Sequence, residues 1–169
     1  MTPEQSQAFF EALLKEDQQL AVPRYLARHL ARVLLAELTG LDALEQNTRA
    51  LAQNIMATAP KFGMNIKIIS TFRTEAEQNR LYAQGRTLPG PVVTNAQAGQ
   101  SYHNYGLAFD IGNADGSPIN GEDGALAHIG TYAESIGLVW GESFGDFGHF
   151  EYHPNFSWEQ IIGFFQTDI

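Results

Sequence analysis

Two short clusters of metal-binding side-chain types, whose aspartate and histidine at 110 and 149 stand 39 positions apart, constrain this chain more than any other feature of it. In SYHNYGLAFD (101–110), His103 and Asp110 stand seven positions apart with Gly106 between them. In DFGHFEY (146–152), Asp146 precedes His149 by three positions. If the clusters act together, the fold must carry both to one point.

Local geometry suits them to that task. Side chains alternate faces along a strand, so His149 and Glu151 share one face while Phe150 and Tyr152 share the other. His103 and Asp110 are an odd number of positions apart, and an unbroken strand would aim them oppositely. Gly106 supplies the bend that lets them converge. The spacing predicts that His103, Asp110 and His149 hold one zinc ion, with Asp146 beside it as general base. Two nitrogens and one carboxylate oxygen leave a tetrahedral position for water, the arrangement of a catalytic zinc rather than a structural one. The ion lowers the pKa of that water, and a neighbouring carboxylate takes the proton as it attacks a carbonyl. Any one of these residues alone reads as a loop histidine or a turn cap. Four of them in two compact clusters, in a chain with five histidines, read as a site.

SYHNYGLAFDI resembles the S-x-H-x-x-G-x-A-x-D signature of the zinc peptidases that include D-Ala-D-Ala carboxypeptidases and dipeptidases, and the L-alanyl-D-glutamate endopeptidases of bacterial cell walls. That signature continues with an acidic residue three positions before a zinc histidine, matched by Asp146 and His149. An aspartate there, followed by His-Phe-Glu, looks more like the endopeptidase branch, where phage endolysins and sporulation or autolytic wall enzymes sit. Carboxypeptidases and dipeptidases more often carry glutamate. STFRTEAEQNRLYAQGRT (70–87) is similar to the segment that precedes the zinc motif in that branch. The resemblance spans roughly residues 41–165. It departs at GESFG (141–145), shorter than the usual segment before the acidic residue, and at Gly148, where proline is common. A shorter, looser loop there bears on which bond is cut rather than on the metal.

The resemblance implies three more site residues. Arg73 occupies the position of the family's substrate-binding arginine, and its rigid fork suits a carboxylate or a developing oxyanion. Its ordinary alternative is a surface pairing with Glu75 or Glu77. Gln78 is a substrate-binding candidate from the same segment. Ser101 either orients a ligand, meets substrate or serves a turn.

Charge narrows the partners. The chain carries 10 basic and 19 acidic residues, and ten of the acidic ones follow Thr87, where there is no Lys or Arg at all. Nucleic-acid binding is disfavoured, because it draws its affinity from cations neutralising phosphates. Lasting adhesion to anionic wall polymers is disfavoured for the same reason. With 169 residues and 44% hydrophobic content, one domain with a substantial core is expected. There is no cysteine, so no disulfide forms. No apolar run reaches the roughly 18 residues of a membrane span, and the N-terminus lacks the basic start and apolar core of a secretory signal.

The element pattern begins with helices over 2–20 and 24–38. Thr2 and Pro3 give the first its start signal, and the second carries Arg24, Arg28 and Arg32 on one face. A packed helical pair with a solvated face is the plain reading, and a helix that docks an unknown partner or lies on a membrane surface is the functional one. A helix over 41–59 ended by Pro60, a strand at IKIIS (66–70), and a helix capped by Thr74 and Glu77 follow. LPGPVVTNAQAGQ (88–100) reads as a loop approaching the site. In 112–124, Asn113, Asp115, Gly116 and Glu122 echo a calcium loop, but Ile111 at its first position cannot ligate through its side chain, so an ordinary turn is expected. A helix over 125–136 closed by Gly137, a strand over 138–141 and a helix over 158–165 complete the pattern. His128 and His153 are expected to be structural or exposed.

The expectation is therefore an α+β chain. A small antiparallel sheet flanked by helices bears the zinc site in residues 41–169, after an N-terminal helical extension over 1–40. Its function is expected to be zinc-dependent hydrolysis of peptidoglycan stem peptides, at the L-alanyl-D-glutamate bond. D-alanyl-D-alanine carboxypeptidase activity and a non-catalytic wall-peptide-binding module are the alternatives. Such a protein is made in the cytoplasm and reaches the wall after holin-type release or dedicated export.

Overall fold

In a computed structural model of the chain, the described residues are 39–119, 121, 124–154 and 159–160. The expected helices over 2–20 and 24–38 lie outside them, as does the expected helix over 158–165 apart from residues 159 and 160. Glu122 of the calcium-like pattern also lies outside.

A 3-10 turn (Gly40–Ala43) leads into helix α1 (Gln46–Thr58). The helix starts later than the apolar periodicity predicts, because Glu45 caps it. The buried Glu45 carboxylate accepts from the backbone N–H of Asn47 at 2.9 Å, from that of Thr48 at 3.0 Å and from the Thr48 hydroxyl at 3.1 Å. These donors satisfy orphan N–H groups of the first turn. Pro60 does not stop the chain at once. It sits at the start of a further 3-10 turn (Ala59–Phe62), where its missing N–H is not needed.

Strand β1 (Ile66–Ser70) follows, then helix α2 (Glu75–Ala83). Helix α2 starts where the sequence predicts: the Thr74 hydroxyl accepts from the Glu77 N–H while the Glu77 carboxylate accepts from the Thr74 N–H. After a long loop come a 3-10 turn (Tyr102–Tyr105), strand β2 (Ala108–Asn113), helix α3 (Gly124–Ser135) and strand β3 (Leu138–Trp140). A last 3-10 turn (Gly141–Phe144) precedes strand β4 (His149–Tyr152).

The four strands form one sheet in the order β1-β2-β4-β3, and every neighbouring pair is antiparallel. The expected α+β architecture, helices against a small antiparallel sheet, is the one observed. The register divides the sheet into two faces. Phe109, Ile111, Phe150, Leu138, Trp140 and Ile66 point to one side and join Ile55 of α1 and Leu126 and Ile129 of α3 in the core. Phe109 and Phe150 are cross-strand partners, fully buried, with stacked rings 5.5 Å apart. Burying each such ring contributes about 1.5–3 kcal/mol, and their stacking about 0.5–1.5 kcal/mol more.

Helix α3 lies so close to β3 that a methyl group on Gly130 would overlap the Trp140 ring. The indole N–H of Trp140 donates to the Phe147 carbonyl at 2.9 Å, which ties the core to the segment carrying Asp146. The opposite face of the sheet carries Asp110, His149 and Glu151, and there the site forms.

Candidate active site

The two clusters meet through strand pairing. Asp110 of β2 and His149 of β4 are direct cross-strand partners, and Ser70 of β1 opposes Asp110 on its other side. A register shift between Ile68 and Ser70 brings Ser70 into that row, as bulges often do beside functional sites. His103 arrives differently, from the 3-10 turn rather than from a strand. Gly106, at φ 66°, ends that turn in a left-handed conformation that suits glycine and turns the chain into β2.

His103 Nε2, His149 Nδ1 and Asp110 Oδ1 converge. The two nitrogens are 3.3 Å apart, and they lie 3.2 Å and 2.8 Å from the carboxylate oxygen. Hydrogen bonds behind the rings settle which nitrogens face inward. His103 Nδ1–H donates to the Thr71 carbonyl, which can only accept. His149 Nε2–H donates to the Glu151 carboxylate at 2.9 Å. In neutral rings, three lone-pair donors then face one another with nothing but a cation to reconcile them. A tetrahedral zinc with ligand distances of about 2.0–2.2 Å would set its donor atoms roughly 3.3 Å apart, close to the separations observed. The donor set fits the metal, and the carbonyl and carboxylate behind the rings are the partners that orient metal-bound histidines elsewhere.

Glu151 was legible only in part. It shares a face with His149, as the period-two pattern predicts, but it also accepts from His153 Nε2 at 2.7 Å. His153 is further held by stacking on Tyr102, with ring centroids 4.3 Å apart. Residues 149, 151 and 153 recur every second position, and that was the available signal. Asn104 gave no signal. Its side-chain N–H donates to the Arg73 carbonyl at 2.8 Å and its oxygen accepts from Gly99 N–H at 3.0 Å, so it stitches two segments of the site together.

Asp146 follows the 3-10 turn (Gly141–Phe144) and lines the same cleft as His103, Asp110 and His149. The turn is tight rather than loose. Asp146 N–H donates to the Gly141 carbonyl at 3.0 Å, and the Gly148 carbonyl accepts from Ile111 N–H at 2.9 Å. A side chain on Gly148 would press on the Ile111 carbonyl, 2.7 Å from where its Cβ would lie.

Arg73 is not a surface arginine paired with Glu75 or Glu77. Its side chain is 18% exposed and turned toward the site. It donates to Gln78 Oε1 at 3.0 Å and to Ser70 Oγ at 3.3 Å, and its guanidinium lies 3.5 Å from Asp110 Oδ2. Gln78, expected at the substrate, is fully buried, and the ends of its amide are taken by Arg73 and by the Ala96 carbonyl at 2.7 Å. Ser101 lines the cleft and also serves the turn, its hydroxyl accepting from His103 N–H at 3.3 Å.

The electrostatics follow from this packing. Burial disfavours the Asp110 carboxylate, but the two histidines outweigh it and hold the group far below the ordinary range. Burial likewise opposes charge on His149, yet without a metal its bonds to Asp110 and Glu151 raise its pKa to about 9, so zinc would take the place of the proton on Nδ1. Asp146 moves the other way: burial first, then the Asp110 charge, raise it above an ordinary aspartate. Two carboxylates in one cleft are thus driven apart, one fixed as an anion and one eased toward accepting a proton. Phe144, 59% exposed, stands edge-on to His149 with ring centroids 5.7 Å apart and forms part of the rim.

Comparison with known proteins bears on what this arrangement is. A family model described as VanY, D-alanyl-D-alanine carboxypeptidase, matches residues 42–140, more than half of the chain. The chain belongs to this family. It is therefore a metallopeptidase by descent, as the motifs imply. The match ends before Asp146 and His149, whose position beside the first cluster comes from the pairing of β2 with β4. The peptidoglycan L-alanyl-D-glutamate endopeptidase CwlK of Bacillus subtilis (strain 168) is 39% identical over 126 residues, which cover 66% of this chain and 72% of that protein.

Two solved structures share the fold at 20% identity. The LdcB LD-carboxypeptidase has a TM-score of 0.53 over 69% of this chain and 62% of its own. The vancomycin-resistance D,D-dipeptidase VanXYg, in complex with a D-Ala-D-Ala phosphinate analogue, has a TM-score of 0.50 over 72% of this chain and 59% of its own. The chain spans less than two thirds of the length of either structure.

Proposed function

We propose that this VanY-family chain is a zinc-dependent peptidoglycan peptidase that hydrolyses the L-alanyl-D-glutamate bond of the stem peptide. The observation that carries the reading is the convergence of His103 Nε2, Asp110 Oδ1 and His149 Nδ1 beside Asp146 in an open cleft. The 39% identity to CwlK supports the choice of bond. The three side chains would hold zinc, which supplies Lewis acidity and makes water acidic enough to ionise near pH 7. Asp146 is the general base: its raised pKa favours proton uptake from water and return of that proton to the leaving amine. Arg73, preset by Gln78 and Ser70, offers its remaining donors to a substrate carboxylate or to the oxygen of the attacked carbonyl. Gln78 acts through Arg73 and Ser101 through the turn that bears His103.

An endopeptidase needs no cation at the end of its groove, whereas a carboxypeptidase usually sets one there to receive a terminal carboxylate. Among the described residues lining the cleft, Arg73 is the one Lys or Arg, and it stands against the metal ligands. That favours cleavage within the stem. Its free D-glutamate α-carboxylate is then the group for Arg73 to meet. Mass spectrometry of fragments released from purified sacculi tests this. New N-terminal D-glutamate without free D-alanine is expected. D-alanine released from a pentapeptide stem, with the alanyl-glutamate bond intact, would assign the carboxypeptidase reaction instead.

The same proposal assigns catalysis to residues 41–169 and delivery to the wall to holin-type release or dedicated export. No helix among the described residues is long and apolar enough to cross a membrane. A chain beginning at Thr39 is expected to retain zinc and to cleave soluble muropeptides. Failure of that chain to fold would show that residues 1–38 complete the core.

A further inference from the structure

We propose that Arg86 is a positioning residue for substrate. Its guanidinium staples residues 93–96 in place as one wall of the cleft, and so sets how tightly a stem peptide is held. The inference rests on the peptidase reading above. Arg86 touches neither the metal ligands nor Asp146.

The wall needs such a device. Val93, Thr94, Asn95 and Ala96 line the same cleft as His103, Asp110 and His149, yet they belong to a stretch between α2 and the turn of His103 that has no helix or strand of its own. Backbone polar groups in such a stretch must find partners outside a ladder. Arg86 provides them from the solvent side. Its Nη1 donates to the Thr94 carbonyl at 3.0 Å and to the Tyr82 carbonyl at 2.7 Å, and its Nη2 donates to Asn95 Oδ1 at 2.9 Å. Its guanidinium carbon lies 4.1 Å from the centroid of the Tyr82 ring. The flat face is therefore held on α2 while the edge grips the wall. Lysine, a point charge without that fork, cannot make both sets of contacts.

Gln78 anchors the same wall from the inside, through the Ala96 carbonyl, but it also holds Arg73. Removing Gln78 would disturb catalysis and wall together. Arg86 touches α2 and the wall only, so its loss isolates the wall. Leu88 and Val92, just before the wall, and Val93 at its start are about half exposed, so apolar packing alone holds this stretch weakly.

The test uses the full chain, loaded with zinc, and a soluble muropeptide. In Arg86→Ala, KM is expected to rise about tenfold, as for loss of charge-assisted hydrogen bonds, with kcat, zinc content and melting temperature nearly unchanged. Arg86→Lys should recover little of the loss. Hydrogen exchange should quicken at residues 93–98 and not at β2 or β4, a readout that needs no substrate. A kcat loss at constant KM, full rescue by lysine, or unaltered exchange at 93–98 would each overturn the proposal. Wild-type protein that fails to cleave the muropeptide would count against the peptidase reading, and the exchange comparison would still decide the role of Arg86. If Arg86→Ala does not fold, Arg86→Lys takes its place: raised KM with quickened exchange supports the staple, and wild-type values for both overturn it.

Discussion

Asp110 and His149 face each other directly across β2 and β4, with the histidine Nδ1 2.8 Å from the carboxylate Oδ1. Residues 39 positions apart in the chain thus meet through strand register. A one-residue slip of β4 would turn His149 into the core and Phe150 into the cleft. The buried pair of Phe109 and Phe150, next in the same register, guards against that slip.

Metal content is the first consequence. The protein is expected to hold about one zinc per chain, and chelation should lower its melting temperature, since a ligand bound only by the folded state stabilises it. His103→Ala should lose both the metal and the hydrolysis. Elemental analysis checks the first, and a fully active metal-free protein would refute the site.

Asp146 should separate from the ligands in the same assay. Asp146→Ala is expected to keep zinc while turnover falls by about 10²–10⁴-fold, the usual contribution of a general base. Zinc loss equal to that of His103→Ala would recast Asp146 as a ligand or a support.

The cap of α2 predicts a pH dependence. Backbone and side-chain hydrogen bonds from Thr74 hold the Glu77 carboxyl below its ordinary value of 4.5. A depressed carboxylate contributes stability above its unfolded pKa, and that contribution is lost as pH falls through the folded value. Melting temperature should therefore fall more steeply below pH 4.5 in the wild type than in Glu77→Gln, which keeps the capping geometry without the charge. Parallel acid limbs for the two proteins would show that the cap does not titrate in this way.

Gly130 predicts a packing defect. Alanine is the better helix former, by about 1 kcal/mol, yet its methyl would overlap the Trp140 ring. Forcing that ring aside costs about 1–3 kcal/mol and disturbs the bond from Trp140 to Phe147 beside Asp146. Gly130→Ala should thus melt lower than wild type under calorimetry. An equal or higher melting temperature would mean that the ring has room to move.

What the sequence determined by itself was carried by neighbouring residues. The two clusters of His and Asp, the acidic residue three positions before His149, the Thr74–Glu77 cap and the alternating faces of β4 all depend on spacings of a few positions, which the periods of strand and helix convert directly into geometry. Other features depended on partners remote in the chain. Arg73 turns from nearby Glu75 and Glu77 to Asp110 because β1 pairs with β2 and its register shifts at Ser70. Gln78 is buried because the wall at 94–96 closes over it. Helix α1 waits until Gln46 because Glu45 caps it and Glu45 N–H donates to the Gly106 carbonyl at 3.0 Å. The inward nitrogens of His103 and His149 are chosen by Thr71 and Glu151. In each case a polar group removed from water had to take whichever partner the packed strands and loops brought within reach, and only the tertiary structure decides that.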